Sequence, residues 1–230
     1  MKITVLTGAG ISAESGIKTF RDSNGLWEEH DVMEVASIQG WYNNQKLVLD
    51  FYNARRKQLH EVSPNPAHTA LADLESAHEV VIVTQNVDDL HERGGSSDII
   101  HLHGELNKVR STYNRDLIYD WGKDLNLGDK GEDGHQLRPH IVWFGEEVPE
   151  LERAIPHISE SDCLIIIGTS LQVYPAAGLS SYARPDIPVY YCDLAPQLNY
   201  ELQKNKNLEV IAGRASLTVP NLVERIKKES

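Results

Sequence analysis

Short runs of apolar, often β-branched residues alternate along the chain with stretches of helical periodicity. Each run has the length and composition of a buried strand of a parallel sheet, and each ends in a polar or glycine-rich cluster. The first run follows Lys2, and the others lie at 79–88, 98–104, 162–170, 188–194 and 208–213. The alternation predicts an α/β fold with a doubly wound, mostly parallel, Rossmann-like sheet.

The length of 230 residues, 40% of them hydrophobic, suffices for one sizeable core and a small appended unit. We therefore predict a single domain over residues 1–230 that contains a small inserted domain. The predicted Rossmann-like core comprises about 1–30, 65–110 and 138–230, and the predicted small domain comprises about 31–64 and 111–137.

Unusual polar residues follow the predicted strands at their carboxyl ends, which is where ligands bind in such sheets. We expect these residues to share one rim: Gly8 to Ser12, Gln85 to Asp88, His103 with Gly104, Gly168 to Ser170, and Asp193.

The first of these clusters fits a dinucleotide fingerprint. Gly8, Gly10 and Ala13 lie between a strand and a helical segment, and glycine lets the backbone approach a diphosphate. The alternative is a tight strand-to-helix turn without a ligand. The acidic residue expected about 20 positions further on falls in a polar segment that does not resemble a strand. A ribose partner is therefore predicted elsewhere.

Charge and cysteine content narrow the class of protein. A net charge of −12 argues against a nucleic-acid surface and favours cationic partners such as lysine-rich peptides. No apolar run approaches the roughly 18 residues of a membrane span, and the N-terminus lacks signal-peptide features, so we expect a cytoplasmic protein without membrane contact. Cys163 and Cys192 each lie in an apolar run and are expected to be buried core residues.

Six ordered motifs carry a family resemblance: GAGIS (8–12), FRD (20–22) with GLW (25–27), TQNVDDLH (84–91), HLHGEL (101–106), PHIVWFGE (139–146) and GTSLQVYPAA (168–177). Together they resemble the sirtuins, which are NAD-dependent protein lysine deacylases. The match runs from Lys2 to the C-terminal helix. It implies that NAD is consumed as a co-substrate and that acylated lysine side chains of proteins are the substrates.

The resemblance also implies which residues contact NAD. The diphosphate would lie against Gly8, Ala9, Gly10 and Ser12. The loop closing over the nicotinamide half would include Phe20, Arg21 and Asp22, and Trp27 would be a further NAD contact. The nicotinamide and its ribose would contact Gln85, Asn86 and Asp88, and the adenosine would contact Gly168, Thr169, Ser170, Asp193 and Ala215. Asp193 departs from the asparagine-containing pattern of many family members.

His103 is the predicted general base, and Asn86 is expected to order the ribose and a water. An imidazole that titrates near neutrality can accept a proton from a ribose hydroxyl. The alternative for His103 is an ordinary polar residue at a strand end. In the family mechanism the acyl-lysine amide oxygen attacks the ribose carbon as nicotinamide leaves, and a ribose hydroxyl then attacks the resulting imidate. Water completes the reaction, giving free lysine and acyl-ADP-ribose.

The resemblance assigns the peptide to the segment PHIVWFGE, where it would add as an extended strand. The candidate substrate contacts are Val142, Phe144, Gly145 and Glu146. Without the resemblance this segment would indicate only a buried strand and turn.

Tyr52 and Arg55 are three residues apart and share one face of a predicted helix. A phenol beside a guanidinium can bind a carboxylate, and sirtuins that remove acidic acyl groups carry a Tyr-x-x-Arg pair here. The pair predicts desuccinylase or demalonylase activity, without excluding deacetylation. The alternative is a surface arginine beside a packed tyrosine. Arg56 is expected to be solvated.

Sirtuins usually carry two Cys-x-x-Cys pairs that bind structural zinc, and this chain has no cysteine between residues 111 and 135. A mixed His/Asp site that includes His135 is one alternative. We favour a metal-free protein in which a small hydrophobic cluster replaces the zinc site. Its predicted members are Tyr113, Leu117, Ile118, Tyr119, Trp121, Leu125 and Leu127.

Rival functions stay open at this point. The same ribose chemistry could serve an NAD-dependent ADP-ribosyltransferase or an NAD glycohydrolase, and a deacetylase without acidic preference is a further alternative. A non-catalytic binding module has no need of His103, Asn86 and Asp88 together. A hydride-transferring dehydrogenase ranks last. We expect a monomer.

Overall fold

The computed structural model describes residues 1–18, 26–27 and 30–229. The strands are β1 (Lys2–Thr7), β2 (Leu26–Trp27), β3 (His30–Asp31), β4 (Glu79–Thr84), β5 (Ile99–His101), β6 (Gly104–Ser111), β7 (Ile118–Asp120), β8 (Leu137–Ile141), β9 (Cys163–Ile167), β10 (Val189–Asp193) and β11 (Leu208–Ala212). The helices are α1 (Val32–Val35), α2 (Ile38–Asn43), α3 (Gln45–Glu61), α4 (Pro66–Leu74), α5 (Leu90–Gly94), α6 (Leu151–Ser159), α7 (Tyr200–Gln203) and α8 (Ala215–Glu229). Short 3₁₀ helices span Ala9–Ile11, Ala13–Ser15 and Ala176–Tyr182. None of the helices in these ranges is long and apolar enough to cross a lipid bilayer.

The large sheet has the strand order β11-β10-β9-β1-β4-β5, and every neighbouring pair is parallel. The first strand, β1, therefore lies in the middle of the sheet. The chain adds β4 and β5 on one side of β1 and then β9, β10 and β11 on the other side. This order confirms the doubly wound sheet, and each predicted apolar run contains one of its strands. Because the order reverses between β1 and β9, a crevice is expected at the carboxyl ends of these two strands.

Alternate residues of each central strand serve two cores, one on each face of the sheet. Val5 and Ile165 pack with α4 and α8, whereas Leu6 and Ile166 pack with α6. Both cysteines are free and buried, as expected, and burial raises the pKa of each thiol to about 12.

A second unit, which we call the antiparallel unit, consists of α1 to α3 and the three-stranded sheet β7-β6-β8. Its separate core includes Val48, Leu106, Val109 and Trp143. Helix α3 begins where the Asn44 side chain accepts the Leu47 N–H group, which satisfies one of the free donors of the first turn.

Arg56 on α3 is buried rather than solvated, with 2% of its surface exposed. The prediction was wrong because its guanidinium finds acceptors inside the protein. It donates to the carbonyl oxygens of Leu106 (3.0 Å) and Lys123 (3.2 Å) and to the Asn53 side chain (3.0 Å). Arg56 thereby joins α3 to β6 and to the segment that follows β7.

The predicted hydrophobic cluster that would replace the zinc site is wrong for three of its seven members. Leu125 is buried and the rings of Tyr119 and Trp121 pack against the core, but Tyr113, Ile118 and Leu127 are exposed. The segment is held mainly by hydrogen bonds. The Ser111 hydroxyl donates to Asp133 (2.5 Å) and accepts the N–H groups of Tyr113 (3.0 Å) and Asn114 (3.2 Å).

Candidate functional site

The glycine-rich turn after β1 and the turn after β9 are bonded to each other. Gly8 N–H donates to Ile167 O (3.0 Å) and Gly10 N–H donates to Gly168 O (2.8 Å). A Cβ on Gly10 would lie 2.7 Å from the Gly168 Cα atom, so glycine is required for this close approach. The crevice between β1 and β9 is therefore lined by backbone.

The N–H groups of this turn are largely used within the protein. Ile11 N–H donates to Gly8 O and Ser12 N–H donates to Ala9 O. Together with the bonds of Gly8 and Gly10, this leaves the Ala9 N–H without a hydrogen bond to any residue that the structure describes. Ala9 is thus the donor in the turn that is available to an anion.

Asn86 is fixed by three hydrogen bonds at the carboxyl end of β4. Its side-chain amide donates to Gly8 O and to the Ser12 hydroxyl, both at 3.2 Å, and its N–H donates to Thr84 (3.0 Å). Ser12 is fully buried, and its hydroxyl accepts a hydrogen bond that orients the Asn86 side chain. Asp88 is buried and accepts the Leu90 N–H (3.1 Å); burial raises the pKa of its carboxyl, and that hydrogen bond opposes the rise.

A buried histidine pair that the sequence analysis missed lies beneath the rim. His68 and His91 pack edge to face at 5.1 Å, and burial lowers the pKa of His68 to about 4 and that of His91 well below its usual range. Both imidazoles are therefore neutral, and His68 lies 3.5 Å from the Ser12 hydroxyl. The spacing of Asn65 and His68 before an apolar run was the available signal, because these residues form a reciprocal cap at the start of α4.

His103 has the orientation of a base. Its Nδ1 lies 3.0 Å from Gln85 O, and because a carbonyl only accepts, the proton of a neutral ring lies on Nδ1. Nε2 keeps its lone pair and has no hydrogen-bond partner in the described part of the chain. Burial lowers the pKa of His103, although the Gln85 hydrogen bond opposes this, so the ring is neutral at neutral pH.

His101 differs from His103 because both of its ring nitrogens are occupied. Nδ1 lies 3.2 Å from Asn86 O and Nε2 lies 2.7 Å from Glu92. Burial disfavours its charge, but Glu92 outweighs this and raises the pKa of His101. Glu92, His101 and Glu105 bring ligand atoms within 4.8 Å of one another, outside the 111–135 segment; Glu105 is already paired with Lys108 (2.8 Å).

The residues that are predicted to contact adenosine lie at or after the ends of neighbouring strands of the large sheet. Gln85 donates to the Thr169 hydroxyl (3.0 Å), which joins the turns after β4 and β9. Asp193 ends β10 and accepts the Ala195 N–H (2.8 Å), and Ala215 begins α8. The predicted NAD contacts that follow β1, β4, β9 and β10 thus lie at the carboxyl ends of the strands of the large sheet. Trp27 instead packs against Phe51 and Tyr52 in the antiparallel unit, and Phe20, Arg21 and Asp22 lie outside the described residues.

The predicted peptide-binding segment follows β8 and has part of its backbone already paired. Val142 N–H donates to His103 O (2.9 Å), and Phe144 exchanges hydrogen bonds with Ala36 O (2.9 Å) and Ile38 N–H (3.1 Å). The Val142 carbonyl and both backbone groups of Gly145 have no hydrogen bond to described residues. These groups are the ones that a peptide could pair with, beside the half-exposed ring of Phe144.

The carboxylate of Glu146, a predicted substrate contact, is occupied by residues of the protein itself. Its carboxylate accepts two hydrogen bonds from Arg138 (2.7 and 2.8 Å), one from Arg110 (3.2 Å) and the Trp143 N–H (2.9 Å). Its side chain is only 6% exposed. Glu146 therefore holds the predicted peptide-binding segment against the antiparallel unit.

Replacing Glu146 by glutamine is expected to lower the free energy of unfolding by about 3–5 kcal/mol near neutral pH, because two buried guanidinium groups lose their counter-charge. Burial alone would raise the pKa of Glu146, but Arg138 lowers it overall. The stabilisation is therefore complete above the ordinary carboxyl pKa and is lost as the pH falls through the lowered pKa. Urea unfolding at neutral and acidic pH would measure this, with exposed Glu147→Gln as the control. An equal loss at both pH values would contradict the assignment.

Tyr52 and Arg55 share the buried face of α3. Tyr52 accepts a hydrogen bond from the Trp143 indole N–H (2.9 Å), and burial raises the pKa of its phenol, so its own O–H is kept for donation. The Arg55 guanidinium lies 4.7 Å from the ring centre of Trp27 and bonds to Gln58. Arg55 is 7% exposed, so the alternative of a surface arginine is wrong.

Comparisons with known proteins agree with the family resemblance of the sequence motifs. The model described as "Sir2 family" matches residues 8–175. A Helicobacter pylori (strain J99) protein is 64% identical over 83% of this chain and 82% of its own length, and a Bacteroides thetaiotaomicron protein is 50% identical over 96% and 95%. Both are named NAD-dependent protein deacylase.

Solved structures show the same similarity. A Sir2 homologue mutant in complex with ADP-ribose superposes with a TM-score of 0.89 at 34% identity, covering 99% of this chain and 92% of that one. A Sir2 homologue in complex with NAD gives 0.87 at 35% identity, covering 99% and 90%. A further Sir2 structure, with a deacetylated p53 peptide and an acetylated ADP-ribose, gives 0.78 at 29% identity, covering 99% and 93%.

Proposed function

This chain belongs to the Sir2 family and is an NAD-dependent protein lysine deacylase, and from that premise we propose that it prefers acyl groups that end in a carboxylate. Succinyl- and malonyl-lysine would be its main substrates, with acetyl-lysine as a further one. We also propose that it acts as a cytoplasmic monomer on acylated lysines of other proteins, without nucleic acid or membrane. The net charge of −12 supports cationic peptide partners.

We propose that the rim residues bind NAD in the places that the resemblance implies. The Ala9 N–H would donate to the diphosphate, and Asn86 and Asp88 would contact the nicotinamide half. The amide oxygen of acyl-lysine would displace nicotinamide from the ribose carbon. Nε2 of His103 would then take the proton of a ribose hydroxyl, which attacks the imidate carbon, and water would release the lysine. The free Nε2 and the neutral ring of His103 support its role as base.

The observation that carries the acyl preference is the buried Tyr52–Arg55 pair. A guanidinium and a phenol O–H can bind one carboxylate by charge-assisted hydrogen bonds. Tyr52 also bonds to Trp143, which lies within the peptide-binding segment between Val142 and Phe144. A carboxylate at the end of a lysine-linked acyl chain could reach this pair, whereas an acetyl group has no charge to offer it.

Tyr52→Phe combined with Arg55→Met is expected to lower kcat/KM for succinyl- and malonyl-lysine peptides by about 10- to 100-fold, because charge-assisted hydrogen bonds are lost. The value for the matched acetyl-lysine peptide should change little. NAD-dependent nicotinamide release from the three peptides measures both effects.

The matched control is Lys57→Met, which removes an exposed charge from the same helix. Equal or better activity on acetyl-lysine, unchanged by the double substitution, would indicate a general deacetylase. ADP-ribosylated protein without acyl-ADP-ribose would indicate a transferase.

A further inference from the structure

A polar cavity of about 390 Å³ opens beside the peptide-binding segment. Its walls include Arg110 and Arg115 from β6 and the turn after it, Arg138 from β8, and Ile38 from α2. Gly145 lines it as well. The cavity therefore begins next to the backbone groups that we assigned to pairing with the substrate.

Positive charge is in excess in this cavity. Its three arginines face two carboxylates, those of Glu146 and Glu147, in a chain whose net charge is −12. Arg110 and Arg138 share Glu146, whereas Arg115 is exposed and forms no ion pair with any described residue. Buried Nε of Arg138 has no acceptor among those residues. The cavity thus offers more guanidinium donors than acceptors, which suits an incoming carboxylate.

The cavity is separate from the Tyr52–Arg55 pair. The Arg138 guanidinium lies 3.5 Å from the ring centre of Trp143, and the indole N–H of the same residue bonds to Tyr52. Trp143 therefore lies between the cavity, through Arg138, and the Tyr52–Arg55 pair, through Tyr52. A carboxylate on the acyl group and a carboxylate on the peptide would have different arginines to bind.

We infer that this cavity binds the side chain of an aspartate or glutamate that lies one or two residues from the acylated lysine in the substrate protein. Successive residues of an extended peptide are about 3.3 Å apart, so such a side chain is within reach of a cavity that borders the pairing segment. The inference rests on the proposed deacylation of protein lysines. It adds a preference for peptide sequence to the proposed preference for the acyl group.

The test uses matched succinyl-lysine and acetyl-lysine peptides with Asp, Asn or Lys at each position from −2 to +2 around the modified residue. The wild-type chain is compared with Arg115→Gln and Arg115→Glu. Arg184→Gln is the control, because Arg184 is also an exposed arginine but lies away from the cavity. It pairs with Asp162 and Asp186, which come just before β9 and β10, at the amino ends of the strands of the large sheet. The readout is the ratio of kcat/KM values for the Asp and Asn peptides.

At one position or more, Asp should exceed Asn by about 3- to 10-fold in the wild type and in Arg184→Gln. The ratio should approach one in Arg115→Gln, and Arg115→Glu should favour the Lys peptide. Added salt should reduce the wild-type ratio.

A wild-type ratio near one at every position would overturn the inference, as would a ratio that persists in Arg115→Gln. An equal loss on every peptide would mean that Arg115 supports the fold and not the choice of substrate. No nicotinamide release from any peptide would instead overturn the proposed function.

Discussion

His103→Ala is expected to lower the formation of deacylated lysine by about 100- to 10,000-fold, because the ribose hydroxyl loses its base. The departure of nicotinamide precedes that proton transfer in the proposed reaction. Exchange of labelled nicotinamide into NAD should therefore survive in the variant when acyl-peptide is present. Measuring exchange and lysine product in the same samples separates the two steps.

The acid side of the rate profile gives a second check on His103. Burial lowers the pKa of this ring, so wild-type kcat/KM should stay level through the usual histidine range and fall only below it. His60→Ala, which removes an exposed histidine from the end of α3, should leave both measurements unchanged. Equal loss of exchange and product in His103→Ala would show that the ring serves binding and not proton transfer.

Gly168→Ala is expected to raise the KM for NAD by at least about 10-fold and to lower the free energy of unfolding by about 1–3 kcal/mol. Gly168 has a φ of +61°, and an added Cβ would lie 2.4 Å from Ile11 N and 2.6 Å from the Gly10 carbonyl carbon. The two turns that line the crevice would have to separate, which would move the Ala9 N–H. NAD titration and thermal unfolding would measure the two effects.

Gly122→Ala is the matched control, since nothing lies within 4 Å of its added Cβ and its φ is not in the left-handed region. It should leave NAD binding and stability unchanged. Normal NAD binding by Gly168→Ala would mean that the turn after β9 does not shape the NAD site.

The large sheet could be predicted from sequence because its strands are buried on both faces. Such strands appear as apolar runs, and their polar ends mark one edge of the sheet. Residues 163–167 and 189–193 are examples in which the run and the strand coincide closely. The ring orientation of His103 could not be predicted, because it depends on a carbonyl 18 residues away.

The polar contacts of the antiparallel unit were the least predictable part. Arg56 donates a hydrogen bond to a carbonyl oxygen 50 residues away in the sequence, and Ser111 donates one to a carboxylate 22 residues away. Glu146 lies in a motif that suggests substrate contact, yet its ion pairs come from strands β6 and β8. Periodicity shows which side chains are buried, but it does not show which distant acceptor satisfies a buried donor.

The hydrogen bonds of Ser111 have a consequence for how the enzyme responds to its surroundings. This part of the antiparallel unit is fastened by hydroxyl, carboxylate and amide groups, and the two thiols of the chain are buried with pKa values near 12. Oxidants that act on thiolates therefore find no reactive sulfur. We expect peroxide stress to leave both thiols unmodified, so that a change in deacylation under such stress would report the supply of NAD and not oxidation of a cysteine.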